Sequence, residues 1–313
     1  MWTEIIPFVP DPVNTGVGKS HDPAGAYLPE TSYSFTINTY IMLQEQLWQQ
    51  VQLVRAQSPL VHNITNYVVM NNTANALLAA GASPVMAHAH GEVEDMTAIA
   101  GALVINIGTL DDYWVKSMEL AAARAKALQR PWVLDPVGAG ATSYRNEVLR
   151  ELLKYSPAVI RGNASEILAL ASIESATKGV DSQHSSEQAL DAAKRLSEAV
   201  NCVVVVSGAV DYIVQGDRVT AIANGHPLMA KVTGMGCTAT AITGAFCATA
   251  PQKPYQSAVA AMALMGIAGE LAAAKAAGPG SVQQYFLDAL YTLDEQTFNS
   301  KLQLTIVHAG IPV

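Results

Sequence analysis

Short apolar runs separated by helix-length stretches recur through this chain, and that alternation limits its fold more than any other feature. SPVMA (83–87), ALVINIG (102–108), WVLDP (132–136), AVIRG (158–162) and CVVVVSG (202–208) read as buried strands. Helical patterns fill residues 65–81, 113–129, 144–154, 163–171 and 186–199 around and between them. Strands joined by segments of that length pair in parallel, with helices packed on both faces of the sheet. YIVQG and RVTAIA, within 212–223, read instead as a hairpin closed at Gly216-Asp217. The last third predicts helices over 236–249, 254–276 and 281–293. Together these patterns predict an α/β fold with a mostly parallel central sheet and helices on both faces. No internal repeat or low-complexity linker divides it.

Half of the 313 residues are hydrophobic and 14% are charged, enough to build one large core. The first 41 residues carry Pro, Gly, Ser and Tyr with little periodicity, and Met42 opens the helical MLQEQLWQQVQLVRA. Residues 1–41 are therefore expected to be a tag or a disordered extension, leaving 42–313 as a single domain. They lack the basic and apolar regions of a secretory signal. The most apolar run, SAVAAMALMGIAG (257–269), stops at Glu270 and is too short for a span of roughly 20 residues, so no membrane partner is expected. A net charge of −8 argues against broad nucleic-acid binding, which needs positive surface. Cys202, Cys237 and Cys247 lack metal-type spacing and read as reduced thiols of a cytoplasmic protein.

In open α/β sheets ligands sit beyond the carboxyl ends of the strands. Four successive strands here end in polar or glycine-bearing signals: NIGT, DPVGAG, RGNASE and VSGAVD. DPVGAGATSYR places Asp135 at a strand end, and RGNASE places Arg161, Asn163 and Glu166 around a helix start. Two acidic groups there could hold Mg²⁺ through water, and an arginine could clamp phosphate oxygens. Asn163 and Glu166 also spell a helix N-cap and its capping-box partner, a reading compatible with the first.

GMGCTA (234–239) formally fits a dinucleotide fingerprint, but no acidic residue follows about 20 positions on to hold a ribose. It suits a plain anion hole better, with Gly234 and Gly236 allowing tight turns and the following helix offering its N-terminus. Such a turn matches phosphoryl transfer, where charge spreads over the transferred oxygens. Cys237 falls on the first helical turn. Helix N-termini lower thiol pKa values, which makes a thiolate base available there, while a small packed residue is the plainer alternative.

Other motifs compete. NTGVGKS (14–20) ends like a phosphate-binding loop but has Val13 where that motif needs glycine. HNITN (62–66) offers Thr65 and Asn66 as helix caps. MAHAHGE (86–92) offers His88, His90 and Glu92 in a metal-like spacing with no further cluster to complete a ligand shell. A G-x-S-x-G elbow for hydrolase chemistry is lacking.

Taken in order, SPLVHNITNYVV, ALLAAGASPVMA, INIGTL, LDPVGAGAT, IRGNASEI, VTGMGCTAT and GPGS closely resemble the hydroxyethylthiazole kinase family of the ribokinase-like superfamily. The resemblance runs from about Ser58 to Leu293. It implies a ribokinase-like three-layer sandwich and ATP- and Mg²⁺-dependent phosphorylation of the primary alcohol of 4-methyl-5-(2-hydroxyethyl)thiazole, a thiamine salvage step. Sibling kinases carry G-x-G-D at the glycine turn, with the aspartate as base; the thiazole kinases are similar to this chain in carrying cysteine, which puts Cys237 at the base position. By the same matching Asn66, Met86 and Gly234 contact the thiazole alcohol, Arg161 and Ser207 contact ATP, and Asp135 and Glu166 lie near Mg²⁺. The family often has Thr where this chain has Ser207, which keeps the hydroxyl. Family members are typically homotrimers with thiazole sites at subunit interfaces. The alternatives are a related kinase of hydroxymethylpyrimidine or a sugar, and an ATP-dependent NAD(P)HX dehydratase. Both are expected to carry Asp at the turn.

Overall fold

The computed structural model describes residues 30–176 and 186–307. The NTGVGKS segment and residues 1–29 of the expected extension lie outside the described residues. The first helix, α1 (Glu30–Gln57), runs across position 42, and the Tyr40 hydroxyl donates to the Leu302 carbonyl over 3.1 Å.

Nine strands form one sheet: β1 (Leu60–Ile64), β2 (Ser83–Val85), β3 (Ala102–Asn106), β4 (Trp132–Asp135), β5 (Val159–Asn163), β6 (Val203–Ser207), β7 (Asp211–Gln215), β8 (Arg218–Ile222) and β9 (Leu304–Val307). Their order is β2-β1-β3-β4-β5-β6-β7-β8-β9, parallel from β2 to β6 and antiparallel beyond. The parallel strands are apolar on both faces because each face is covered. Alternation sorts their side chains. Val61, Val104, Val133, Val159, Val203 and Val205 join one core with α1, α2 (Met70–Ala80), α8 (Met235–Thr249), α9 (Pro254–Lys275) and α10 (Pro279–Thr292). Leu103, Ile105, Trp132, Leu134, Ile160 and Val204 join the opposite core with α4 (Asp112–Ala127), α5 (Ser143–Leu153), α6 (Ala164–Ala176) and α7 (Ser186–Val200). The predicted α/β sandwich with helices on both faces is the observed one.

The hairpin forms as read: β7 and β8 pair antiparallel through Gly216, which takes φ 56°. Gly81 ends α2 at φ 96°, and the amides of Gly81 and Ala82 reach back to the carbonyls of Leu78 and Leu77, a left-handed helix stop. Four elements escape the periodicity. β1 carries polar His62 and Asn63, which interrupt its apolar run, although both side chains are buried. β9 is an edge strand with Thr305 and Ile306 exposed. The seven-residue helices α3 (Val93–Ile99) and α11 (Glu295–Lys301) span too few turns to show a stripe. α9 forms as read, at 22 residues; its apolar 18-residue window has mean hydropathy 1.6, and 78% of that window is packed inside the protein. It is a core helix by burial, although its length would permit a membrane span.

Helix α8 sits directly on the sheet. A Cβ on Gly244 would lie 2.4 Å from Val104 Cγ2, so the close approach to β3 requires glycine. The helix lies along β3 and β4, and the Thr240 hydroxyl near its start reaches Asp135 at the carboxyl end of β4, so its N-terminus sits at the carboxyl ends of the parallel strands.

Candidate active site

Period-2 alternation decides which strand-end side chains face α8. On β3, Val104 packs under the helix, so Asn106 emerges on the same face; on β4 the same step takes Val133 to Asp135, and on β5 it takes Val159 to Arg161. β6 carries Val205 and then Ser207 in the same way. Asn106 pairs in register with Asp135, and Asn163 with Ser207. One face of the sheet therefore ends in a row of polar groups beneath the α8 N-terminus.

The turn that opens α8 is shaped by its glycines. Gly234 is the N-cap at φ 83°, and a Cβ there would lie 2.6 Å from Val69 Cγ1. A Cβ on Gly236 would lie 2.8 Å from Arg161 Nη1, so glycine lets the guanidinium approach the first helical turn. Beside Gly234, a cavity of about 230 Å³ is lined by Val68, Asn72, Lys231, Thr233, Pro279 and Gln283.

Hydrogen bonds join the turn to the strand ends. Asn66 donates Nδ2 to Asn106 Oδ1 over 2.8 Å and to Cys237 Sγ over 3.5 Å. Asn106 donates Nδ2 to Asp135 Oδ2 over 2.6 Å, and Thr240 donates its hydroxyl to the same oxygen over 2.8 Å. Glu166 accepts from the Gly138 amide at Oε1 and from the Asn163 amide at Oε2, while Asn163 Oδ1 accepts from the Glu166 amide. The capping box read from RGNASE is thus present, and it fixes the carboxylate of Glu166 near Asp135.

Burial pushes the Asp135 carboxyl up to about 6; Arg161, Thr240 and Asn106 oppose the rise and Glu166 adds to it. The Cys237 thiol goes against expectation. Burial, reinforced by the Asp135 carboxylate, pushes it up to about 11 despite the amides of Asn106 and Asn66 and the charge of Arg161. At neutral pH the resting residue is a thiol. The helix N-terminus that predicts a lowered pKa is outweighed by desolvation.

One more reading changes. Thr65 and Asn66 do not cap α2, which starts at Met70 behind Val69 and has no side-chain cap. Asn66 Oδ1 instead accepts from the Val68 amide, which turns its NH₂ towards Asn106 and Cys237. His88 packs edge-on against Trp114, and His90 stacks on Tyr113 while its Nε2 faces the Tyr113 carbonyl. Among the described residues no group of three or more His, Cys, Asp or Glu side chains is placed to hold a metal ion.

The sequence profile of the hydroxyethylthiazole kinase family matches residues 51–296. The chain belongs to the hydroxyethylthiazole kinase family. The hydroxyethylthiazole kinase of Leptospira biflexa is 56% identical over 255 residues, which is 81% of this chain and 95% of that protein. That of Syntrophus aciditrophicus is 53% identical over 262 residues, covering 83% and 97%. A solved hydroxyethylthiazole kinase structure from Pyrococcus horikoshii OT3 superposes with a TM-score of 0.79 at 44% identity, over 84% of this chain and all of that one. A pyridoxal kinase from Staphylococcus aureus, solved with AMP-PCP, shares the fold at 15% identity and a TM-score of 0.52, over 68% and 88%.

Among the predicted site residues, Asn66, Cys237, Asp135, Arg161 and Glu166 converge in this family's fold through the contacts above. Ser207 ends the neighbouring strand with its buried hydroxyl unpartnered, as is Nε of Arg161. Met86 is half-buried on the loop after β2, across β1 from this cluster. Asn106, Thr240 and Arg145 were not singled out by sequence. Arg145 donates to the carbonyls of Ile107, Val137 and Gly108, tying together the loops after β3 and β4. The visible signal for Asn106 was a polar residue ending the apolar run ALVIN.

Proposed function

We propose that the strand ends of β3 to β6 and the turn at 234–237 form the site at which ATP phosphorylates the hydroxyethyl group of 4-methyl-5-(2-hydroxyethyl)thiazole. The protein is a phosphotransferase of thiamine salvage, as its family membership entails. One observation carries the placement: Asn66, Asp135, Arg161 and Cys237 meet where α8 points its unsatisfied amides.

In this reading the alcohol lies against Asn66, Gly234 and Cys237, with Met86 on the side of β2. The ATP phosphates lie against Arg161 and Ser207, whose unpartnered buried atoms are donors suited to anionic oxygens. The 234–237 turn and the α8 N-terminus face the migrating phosphoryl group. Asp135 and Glu166 are hard oxygen donors set close together, a pair that fits a divalent cation which keeps other ligands, Mg²⁺ in our reading. When bound, that ion neutralises phosphate charge. Cys237 orients the alcohol as a thiol at rest, and it takes the hydroxyl proton only from its minor thiolate form, whose own proton has already gone to solvent, as the alcohol oxygen attacks phosphorus and ADP leaves. A positioned base supplies about 10²–10⁴-fold, so alignment and electrostatics carry more of the rate.

The homotrimer belongs to the same proposal. Tyr67 and Val68, directly after Asn66, are 60% and 64% exposed apolar residues suited to cover by a second copy. Light scattering should give three times 33.0 kDa. The free cysteines suit a cytoplasmic enzyme. The deciding assay is ADP release with Mg²⁺ and the thiazole alcohol, against hydroxymethylpyrimidine, sugar alcohols and hydrated nicotinamide nucleotides. Release no faster with the thiazole than from ATP alone would sink the assignment.

A further inference from the structure

Asn106 is 1% exposed at the end of β3, between the strand that leads to Asn66 and the strand that carries Asp135. Its Oδ1 accepts from the Gly108 amide over 2.9 Å and from Asn66 Nδ2 over 2.8 Å, and its Nδ2 donates to Asp135 Oδ2 over 2.6 Å. These bonds allow one orientation. A flipped amide would face two N–H donors with its own NH₂ and a carboxylate with its oxygen. Asn66 is fixed in turn, because its Oδ1 takes the Val68 amide and only its NH₂ is left for Asn106 and Cys237. A Cβ on Gly108 would lie 2.6 Å from Asn66 Nδ2, so the chain leaves that amide just enough room to lie over β3.

We propose that Asn106 is a positioning residue that sets the two halves of the site at one spacing. Its oxygen holds Asn66 against Cys237, on the side of the alcohol. Its nitrogen holds Asp135, on the side of the cation and phosphates. This rests on the functional reading above and adds the residue that joins its two ends. No other common side chain offers both edges at this length. Leucine fills the space and offers neither. Aspartate keeps an acceptor for Asn66 and Gly108 but sets an oxygen against Asp135 Oδ2.

The two edges can therefore be broken separately. Alcohol binding to the protein without metal or ATP is measured by calorimetry for wild type, Asn106→Leu and Asn106→Asp, alongside kcat with ATP and Mg²⁺ and melting temperature. Asn106→Leu should weaken alcohol binding at least tenfold. Asn106→Asp should keep it within threefold while kcat falls at least 100-fold. The double variant Asn106→Asp/Asp135→Asn restores a donor–acceptor pair between the two strands with the charge moved across. It should regain most of the melting temperature lost in Asn106→Asp, with kcat still at least 100-fold down. Equal alcohol affinity in wild type and Asn106→Leu, or a kcat for Asn106→Asp within threefold of wild type, overturns the proposal and leaves Asn106 a packing residue. A wild type that gives no thiazole-dependent ADP release overturns the functional reading instead, a separate failure.

Discussion

The Thr240 hydroxyl, one turn into α8, donates to Asp135 Oδ2 at the end of β4 over 2.8 Å. Cys237 lies one turn earlier on the same helix, so a single rigid element fixes both the residue proposed at the alcohol and the partner of the acid proposed at the cation. The sheet supplies the row of polar ends, and the helix supplies the anion-binding terminus. Close packing at Gly244 holds the two together.

Thr240 is fully buried, so Thr240→Val removes a hydrogen bond at nearly constant volume and leaves Asp135 one donor short. A destabilisation of about 1–3 kcal/mol is expected, because the lost bond is to a buried charged group. Thr240→Ser should recover most of it. Urea unfolding of the three proteins checks the order; a Thr240→Val protein as stable as wild type would show that the bond contributes nothing.

Asp135 gives the metal-free protein a definite pH dependence. Its folded pKa of about 6 lies above the reference value of 3.8, so the folded state holds the proton more tightly than the unfolded chain. Stability from this group is therefore greatest below about pH 4, falls as pH rises from about 4 to 6, and is level above that. Asp135→Asn should be nearly neutral at pH 4 and stabilising by about 3 kcal/mol at pH 7, from the shift in pKa. Thermal melts with chelator across that range read it directly. A gain of the same size at both pH values would contradict the buried-acid account.

Much of this architecture is legible in the sequence because apolar strands and helix-length spacers leave few alternatives. The β1 strand is not, because LVHNI buries His62, held by Thr97 and the Ala87 carbonyl, and Asn63, whose Nδ2 donates to the Val61 carbonyl, and these polar letters hide the strand. Asp135, Arg161 and Glu166 stand out as charges at strand ends. Asn106 and Thr240 do not, since a neutral residue closing a strand or inside a helix has no distinctive pattern until register sets it beside Asp135. The Cys237 pKa is illegible for another reason. A helix N-terminus is visible in sequence, but the burial that outweighs it depends on the loop that brings Asn66 over the thiol.

Alkylation distinguishes the two states of that thiol. With the folded pKa pushed up to about 11, iodoacetamide should modify Cys237 slowly at pH 7 and roughly tenfold faster for each pH unit up to pH 9.5. Cys202 and Cys247 are fully buried and should stay unmodified, which makes them internal controls by peptide mass spectrometry. A rate already level at pH 7 would mean that the helix terminus prevails over burial.

Gly236→Ala tests the approach of Arg161 to the turn. The new methyl would lie 2.8 Å from Nη1, against the mobile end of a long side chain, so the fold should tolerate it within about 1 kcal/mol. Arg161 would have to swing away, and the phosphates would lose a charge-assisted donor at the first turn of α8. The expected pattern is a KM for ATP raised at least fivefold, with the KM for the thiazole alcohol within twofold of wild type. Arg161→Lys should show the same pattern more strongly, because lysine keeps the charge but not the planar fork. If Gly236→Ala raises the alcohol KM and leaves the ATP KM alone, Arg161 does not serve the phosphates, and the two ends of the site have been assigned the wrong way round.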